Sequence, residues 1–476
     1  MNFHTVIGLE MHCEMKSTTK VFSPAINNYS PSANINISPI DLGFPGILPT
    51  VNEECIKKAI KAALILNCQI PKYMLFDRKN YYYPDLPKGY QITQNTSPVG
   101  TNGHIDVEVG DHIINVEISD IHLEEDSASL DHMSNFSLID YNRAGVPLLE
   151  CVTSPCLHSA DEAVAFIDTM CNIYRYTDIS DADTRRGQIR CDVNISLQGE
   201  DGTYLTPKIE VKNVNSLGNV RATILYEEKR LQKALENNEA NTLEQETRRF
   251  DEETGTTIHM RSKADAIDYK YFVEPNIPPY SLNKEYIDDI KKDIPRLALE
   301  RKLDYINNYG LDVKSANIIV KNRDVADYFE KCISLNMDIK LAANYINGLI
   351  ASFISRENIS INDLYLKPEG LLAIIKKQNE GIISSKQAKE IITKVIEDKV
   401  DVNNLLSEVN AQLSDTSELE AIIDNIIANN SQQVDEYHNG HTNLFDYFVG
   451  QVMKVTKGGA NPVITKELLN KKLNQE

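Results

Sequence analysis

Hydrophobic periodicity changes once along this chain, and that change limits what the chain can fold into. Up to about residue 290, short stretches of alternating apolar and polar residues mix with a few helical ones. Past Pro279 the alternation all but stops. From about 293 to 405 the apolar residues recur at helical spacing and glycines are few. A period of two belongs to strands and a period of 3.6 to helices, so one architecture cannot serve the whole chain. At 476 residues more than one core is expected in any case. The pattern predicts an α+β chain: a mixed α/β body over 1–292, an all-helical domain over 293–406 and a small helical tail over 407–476.

Single elements are readable within that frame. "NEECIKKAIKAALIL" (52–66) places Ile56, Ala59, Ile60, Ala63 and Leu64 on one helical stripe. "SADEAVAFIDTMCNIYRY" opens with Ser159 and Glu162 at capping-box spacing and continues as an amphipathic helix. In the tail, Asp415 and Glu418 predict a cap, with Leu419, Ile422, Ile423, Ile426 and Ile427 as the stripe. "GQIRCDVNIS" is the cleanest strand, with Ile189, Cys191, Val193 and Ile195 alternating with Arg190, Asp192, Asn194 and Ser196. The latter set suits a functional face, and a wet sheet face would look the same.

The first strand raises the sharper chemical question. In "GLEMHCEM" (8–15) alternation puts Glu10, His12 and Glu14 on one face, against Ile7, Leu9, Met11, Cys13 and Met15 on the other. Two carboxylates around an imidazole suit a metal ion, although three residues alone do not establish one. "IHLEED" sets Glu124, Glu125 and Asp126 after His122; three successive acids repel unless a cation or basic groups lie close, and a charged loop is the simpler reading. Glu150 ends the apolar run of "YNRAGVPLLE", where an active-site acid and a plain strand terminus are equally compatible. "FDRKNYYYPDLPKGYQITQ" (76–94) offers tyrosine faces for bases with Lys79 and Lys88 for phosphates, or simply a hairpin with an aromatic core. The paired arginines of "ETRRFDEETGTTIHMRSK" read as surface charge pairing.

Several chemistries are absent from the sequence. It contains no GxxxxGK[ST] loop, no HExxH, no GxSxG and no GxGxxG after a strand. Any handling of ATP must therefore rest on scattered carboxylates holding Mg²⁺ and on lysines or backbone amides. A formal charge of −20 argues against a general nucleic-acid coat, yet the tail carries Lys454, Lys457, Lys466, Lys471 and Lys472, a local excess suited to RNA or to a solvated helix. The eight cysteines form no CxxC pair, "MNFHTVIGLE" lacks a signal-peptide pattern, and the longest apolar runs, such as "AALIL", are too short to span a bilayer. Reduced thiols, a cytoplasmic location and no membrane partner are the expectations.

Taken together, "VIGLEMHCEMK", "LGFPGILPTVN", "FDRKNYYYPDLPKGYQITQ", "HLEED", "DYNRAGVPLLE", "IRCDVNIS", "EVKNVNS", "QETRRFDEETG", "DYKYFVEP" and "VGQVMKVTKGGANP" closely resemble the B-subunit family of the tRNA-dependent aspartyl/glutamyl amidotransferases, GatB. The resemblance runs over nearly the whole chain. It implies a cradle-shaped body with a Mg²⁺-dependent phosphorylation site, followed by helical parts that bind tRNA, the tail being similar to YqeY. Carried over by residue, it makes Glu10, His12, Glu125 and Glu150 the expected metal and catalytic positions; alternation does not choose between Glu124 and Glu125, and the family motif favours Glu125. Lys79, Lys88, Arg190 and Asp192 are the expected nucleotide contacts, and Lys454, Lys457 and Lys466 the expected tRNA contacts.

The implied reaction activates Glu-tRNA(Gln) or Asp-tRNA(Asn) with ATP as an acyl phosphate, which ammonia then converts to the amide. Ammonia would come from a partner amidase, the A component of a heterotrimer whose small C component completes it. Three places depart from the family pattern. Ser23 and Ser38 stand where many members carry zinc-binding cysteines, so no zinc is expected. "EEDAGK" reads "EEDSAS", losing a lysine at Ser129, and "MEEGSLRCD" reads "TRRGQIRCD", with Arg185 and Arg186 for two carboxylates. The arginines can take phosphate contacts made elsewhere by the lysine. The alternative is a GatB-like paralogue that binds tRNA or partners with weakened or altered catalysis.

Overall fold

In a computed structural model the chain separates into two compact units, Met1–Pro295 and Arg296–Glu476. The structure describes residues 2–262, 268–412, 416–456, 460 and 462–474. The α+β expectation holds: strands are confined to the first unit, and the described part of the second is helical.

The strands of the first unit are β1 (Phe3–Glu14), β2 (Tyr73–Met74), β3 (Asp77–Asn80), β4 (Tyr90–Thr93), β5 (Gly100–Val109), β6 (His112–Glu125), β7 (Ser129–His132), β8 (Ser137–Asp140), β9 (Pro147–Thr153), β10 (Ile189–Gly199), β11 (Ile209–Val214), β12 (Glu246–Asp251), β13 (Thr256–Ser262), β14 (Phe272–Val273) and β15 (Tyr280–Ser281). Eight of them form one sheet in the order β13-β12-β11-β10-β1-β9-β6-β5. Neighbours run antiparallel except β11 and β12, which are parallel. A second sheet, β14-β3-β4, joins "DYKYFVEP" to "FDRKNYYYP".

β1 lies inside the large sheet and obeys its alternation. Ile7, Leu9, Met11 and Cys13 are fully buried while Glu10, His12 and Glu14 are half-buried. Each buried aliphatic side chain contributes roughly 1.5–3 kcal/mol, so the face that carries the polar residues is set by the apolar ones. Three helices cover the sheet: α1 (Glu53–Ile65), α2 (Ala160–Tyr176) and α3 (Leu217–Glu236). In α2 the Ser159 hydroxyl accepts from the Glu162 amide, while the Glu162 carboxylate accepts from the amide of His158, one residue ahead of the expected partner. α4 (Lys284–Lys292) packs on α1.

The arginines of "ETRRF" differ in their surroundings. Arg249 is exposed, but Arg248 is drawn into a buried network about Glu227 of α3. Glu227 is 0% exposed; it accepts hydrogen bonds from Thr257 and Arg230 and pairs with Arg248 at 3.4 Å. Arg248 also bonds Glu246 at 2.9 Å and the Thr257 carbonyl at 2.8 Å. The network ties α3 to β12 and β13.

The second unit runs from the helix Ala298–Asn307 to the helix Pro462–Leu473. Within it, Ile339–Tyr345 passes into Ala351–Glu357 through a π turn at Ile346–Ile350. Ser384 and Gln387 close a reciprocal capping box. The predicted tail stripe is seen in place: Ile423 and Ile426 lie in a core with Phe448, Val452, Leu469 and Leu473, and Leu419, Ile422 and Ile427 pack against it. Asp415, the expected cap, lies outside the described residues.

Candidate active site

Pairing of three adjacent strands assembles the first acid cluster. His12 on β1 faces Glu150 on β9, and Glu150 faces His122 on β6. Glu150 Oε2 lies 3.4 Å from His12 Nε2 and 2.9 Å from His122 Nε2, and His122 Nδ1 is 2.9 Å from Asp120. Glu124, two residues beyond His122 and so on the same face, brings its carboxylate to 3.8 Å from His12. Ligand atoms of His12, Glu124 and Glu150 fall within 4.8 Å of one another.

The electrostatics of this cluster follow from burial and mutual charge. Burial alone would raise the Glu150 pKa, but the imidazolium groups of His122 and His12 override it and hold this carboxyl well below the usual range. Burial disfavours the charged form of His12, yet Glu150, Glu124 and Asp192 outweigh it and lift His12 to about 9. Glu124 is pushed up, first by burial and then by the Glu150 charge.

A second cluster uses the other neighbours of β1. Glu10 faces Asp192 on β10 across the ladder, and Glu210 joins from β11, again with ligand atoms within 4.8 Å. Lys212 bonds Asp192 at 2.8 Å and Glu210 at 2.6 Å, and the Asn213 amide donates to Asp192 at 2.8 Å. Asn194 donates Nδ2 to Glu10 at 2.9 Å, while its buried Oδ1 has no partner among the described residues. Burial, then Glu150 and Asp192, raises the Glu10 carboxyl. Both clusters suit a hard divalent cation: their donors are carboxylate oxygens with one imidazole, and the orphaned Asn194 oxygen is a further acceptor beside the second.

The remaining expected residues divide. Lys79 stands beside the first cluster, close enough to feel Glu124 and Glu150, with its ammonium 4.9 Å from the centre of the Tyr269 ring. Tyr269 meets Tyr81 and Tyr271 edge-on at 5.9 and 6.0 Å, so the tyrosine run belongs both to a hairpin and to an aromatic group next to the acids. Asp192 lies in the second cluster rather than apart from the acids. Glu125 is not brought to His12 and Glu150: it points to the opposite face from Glu124, where it pairs with Lys88 and accepts from the Ile92 amide. Lys88 is committed to that pair. Arg190 reaches Asp126 at 2.7 Å, and Arg143 approaches the same carboxylate at 3.5 Å. Arg143 also donates to the carbonyls of Ser127 and Ala128, which fixes the "EEDSAS" turn just ahead of Ser129.

Ser23 and Ser38 are buried, and the loop they belong to is anchored by a buried Lys20–Asp41 ion pair at 3.3 Å. Gly145 is needed beside it: with φ +85°, a Cβ there would stand 2.8 Å from Asp41 Oδ1. In the tail, Lys454 and Lys466 are exposed, Lys472 pairs with Asp424 and Lys457 lies outside the described residues.

Sequence reasoning missed Glu124 as a cluster member, and His122, Asp120, Glu210 and Lys212 altogether. The signal for most of them was alternation: His122 and Glu124 alternate with Leu123, and Glu210 and Lys212 with Ile209 and Val211.

Fold and clusters define a class: an α+β catalytic domain whose sheet gathers acids around one strand, continued by a helical module. Residues 5–288 match the GatB/GatE catalytic domain and residues 327–473 the GatB domain. The chain belongs to the GatB family. It is 39% identical over 476 residues, all of both chains, to the B subunit of the aspartyl/glutamyl-tRNA(Asn/Gln) amidotransferase of Oceanobacillus iheyensis. It is 40% identical over 477 residues to the like-named protein of Listeria welshimeri and 39% identical over 476 to that of Staphylococcus saprophyticus, each again at full length. Among the described residues no helix is long and apolar enough to cross a membrane.

Proposed function

We propose that this chain is the B subunit of a tRNA-dependent amidotransferase, which activates the side-chain carboxylate of Glu-tRNA(Gln) or Asp-tRNA(Asn) with ATP and passes the acyl phosphate to ammonia. The observation that carries this reading is the pair of acid clusters on either side of β1, with Lys79 next to one of them. His12, Glu124 and Glu150 would hold one Mg²⁺, and Glu10, Asp192 and Glu210 a second. A Mg²⁺ held by these residues would supply positive charge to offset the triphosphate and help to align the transferring phosphoryl group.

The chain's own residues have separate tasks. Asp120 and His122 fix the orientation of Glu150, the kind of support that liganding groups require. Lys79 supplies a cation for phosphate oxygens, and the rings of Tyr269 and Tyr271 offer flat apolar surface beside it. Lys212 keeps the second cluster from carrying three uncompensated charges. The γ-phosphoryl group moves to the carboxylate and ADP leaves; ammonia then forms the C–N bond as the C–O bond to phosphate breaks, and a proton is shed. Ammonia is mostly ammonium at neutral pH, so delivery from a partner amidase, in a heterotrimer with a small third component, fits the chemistry. Lys454, Lys457 and Lys466 are assigned to tRNA, and the cytoplasm is where these substrates occur.

The test is amidation by the chain purified with its amidase and small-subunit partners, given Glu-tRNA(Gln) or Asp-tRNA(Asn), ATP, Mg²⁺ and ammonium. Gln-tRNA or Asn-tRNA should appear. Glu150→Gln and Glu10→Gln should each reduce amide formation by at least about a hundredfold while tRNA affinity stays within a few-fold. Unchanged amidation in both variants would remove the clusters from the reaction. Stable tRNA binding with no product from the unaltered complex would favour the paralogue reading, which the changes at Ser129, Arg185 and Arg186 prompted.

A further inference from the structure

β3 is only four residues long, and its side chains have separate tasks. Asp77, fully buried, accepts from the amides of Asn95 and Thr96 and from the Thr96 hydroxyl. Arg78 and Asn80, two positions apart and so on one face, both fasten residues 268–276. Arg78 donates from Nε and Nη2 to the two carboxylate oxygens of Glu274, the second bond at 3.0 Å. Its guanidinium lies 4.1 Å from the centre of the Tyr90 ring and 5.6 Å from that of Phe272. Glu274 is 0% exposed and also accepts from the Asn276 amide and side chain, each at 2.9 Å. Asn80 holds the other end: its side chain donates to the Lys270 carbonyl at 2.8 Å and its amide to the Tyr269 carbonyl at 2.9 Å.

Lys79 lies between these two fastenings and projects from the other face of the strand. The cations near it in sequence are committed, Arg78 to Glu274 and Lys88 to Glu125, whereas among the described residues no carboxylate pairs with Lys79. Its ammonium rests against the Tyr269 ring instead, and a ring face holds a cation without neutralising it. Glu124 and Glu150 pull on the same ammonium, and a lysine stem is flexible enough to follow them. Without the ring in place the lysine would fall onto the acids and cancel charge on both sides. The place of Tyr269 is therefore decisive, and it is set at a strained point. Lys270, the next residue, has φ +45°, which residues with a side chain rarely adopt. The Asp268 carboxylate accepts from the Lys270 amide at 3.0 Å, but such a turn persists only when the segment around it is tied down.

We propose that Glu274 is a positioning residue for phosphoryl transfer: acting through Arg78, it clamps residues 268–276 to β3, so that Tyr269 keeps the Lys79 ammonium off the Glu124 and Glu150 carboxylates and free for phosphate oxygens. The inference rests on the reading of Lys79 given above. Glu274 belongs to neither acid cluster, and its charge is matched by Arg78 alone among the described residues. A buried bidentate pair of carboxylate and guanidinium fixes orientation as well as distance. That precision matters here, because a group displaced by about 1 Å can lose on the order of a hundredfold in rate.

The experiment measures the affinity of the full complex for a non-hydrolysable ATP analogue with Mg²⁺, together with amidation kinetics, for the unaltered chain, Glu274→Gln, Lys79→Ala and the double variant. Glu274→Gln keeps the shape of the side chain and removes its charge. It should weaken analogue binding about tenfold and lower kcat by a similar factor, while the KM for tRNA is unchanged. In the Lys79→Ala chain, which has no ammonium to place, the same substitution should add nothing. Arg78→Lys, which keeps the charge but not the fork, should reproduce the Glu274→Gln loss and stands in for it if that variant does not fold. Glu227→Ala cuts a buried pair elsewhere in the sheet; it should lower the melting temperature and leave analogue affinity alone, which separates positioning from mere stability. Unaltered analogue affinity and kcat in Glu274→Gln and Arg78→Lys would overturn the proposal. So would a loss that persists undiminished in the Lys79→Ala chain. If the unaltered complex binds no nucleotide, it is the functional reading itself that fails.

Discussion

At the scale of single residues, Glu150 is the hinge of the site because it is shared by two imidazoles on two different strands. As a result His12 holds a proton to about pH 9 in the absence of a cation. Glu14, two residues along the same face, is lifted to about 7 by burial and the Asp126 charge, against Arg190 and Arg143. Both groups bind a proton more tightly folded than unfolded. The His12 contribution is therefore full below about 6.5 and is lost as pH rises through about 9; that of Glu14 is full below about 4.5 and is lost as pH rises through about 7.

Chelator-treated protein should accordingly lose stability on going from pH 5 to 9, and Glu14→Gln should remove the lower part of that fall, on the order of 3 kcal/mol. Urea unfolding at several pH values checks this, and a flat profile for the unaltered chain would contradict it. Mg²⁺ should reverse the upper part, because a liganding His12 must give up its proton. The sequence placed His12 and Glu150 among the candidates but exchanged Glu124 for its neighbour. Alternation along β6 separates Glu124 from Glu125, yet which face meets His12 is fixed by the β6–β9–β1 register, and that pairing is not local.

At the scale of elements, helices and their caps were legible because they are local events. Ser159 with Glu162, the stripe of 52–66 and the stripe of 419–427 all depend on residues a few positions apart. Sheet order was not legible, since β1 lies between strands that begin at residues 147 and 189. The same gap hid Glu227, which reads as one more surface acid on α3 until β12 and β13 bring Arg248 and Thr257 over it. Removing it takes from Arg230 and Arg248 one of the two carboxylates they share, Glu246 being the other. Glu227→Ala should cost about 1–3 kcal/mol, read as a lower melting temperature, while Lys229→Ala, at an exposed position of the same helix, should change little. Equal effects of the two would show that the network adds no specific stability.

At the scale of the whole molecule, an acidic protein of net charge −20 must meet RNA through places where that charge is locally reversed. In the second unit the exposed Lys454 and Lys466 are the side chains proposed for that role. Replacing both by Glu should weaken tRNA binding and reduce its salt slope by about 1 per lysine or more. ATP turnover at saturating tRNA should not move. Titration of the complex with labelled tRNA at several salt concentrations measures this, and an unchanged slope would leave the lysines to solvent. The change from strands to helices was legible from periodicity alone, because a switch from period two to period 3.6 persists over more than a hundred residues and needs no pairing partner to be seen.

β1 gives Glu10 to the cluster made with β10 and β11, and His12 to the cluster made with β9 and β6. These residues sit two positions apart, about 7 Å, so a shift of β1 by one residue would turn both to the opposite side of the sheet at once. The strand can therefore exchange one side chain for another and lose a single cluster, but it cannot change its length by one residue without losing both. For this molecule, spelling within β1 is negotiable and spacing is not.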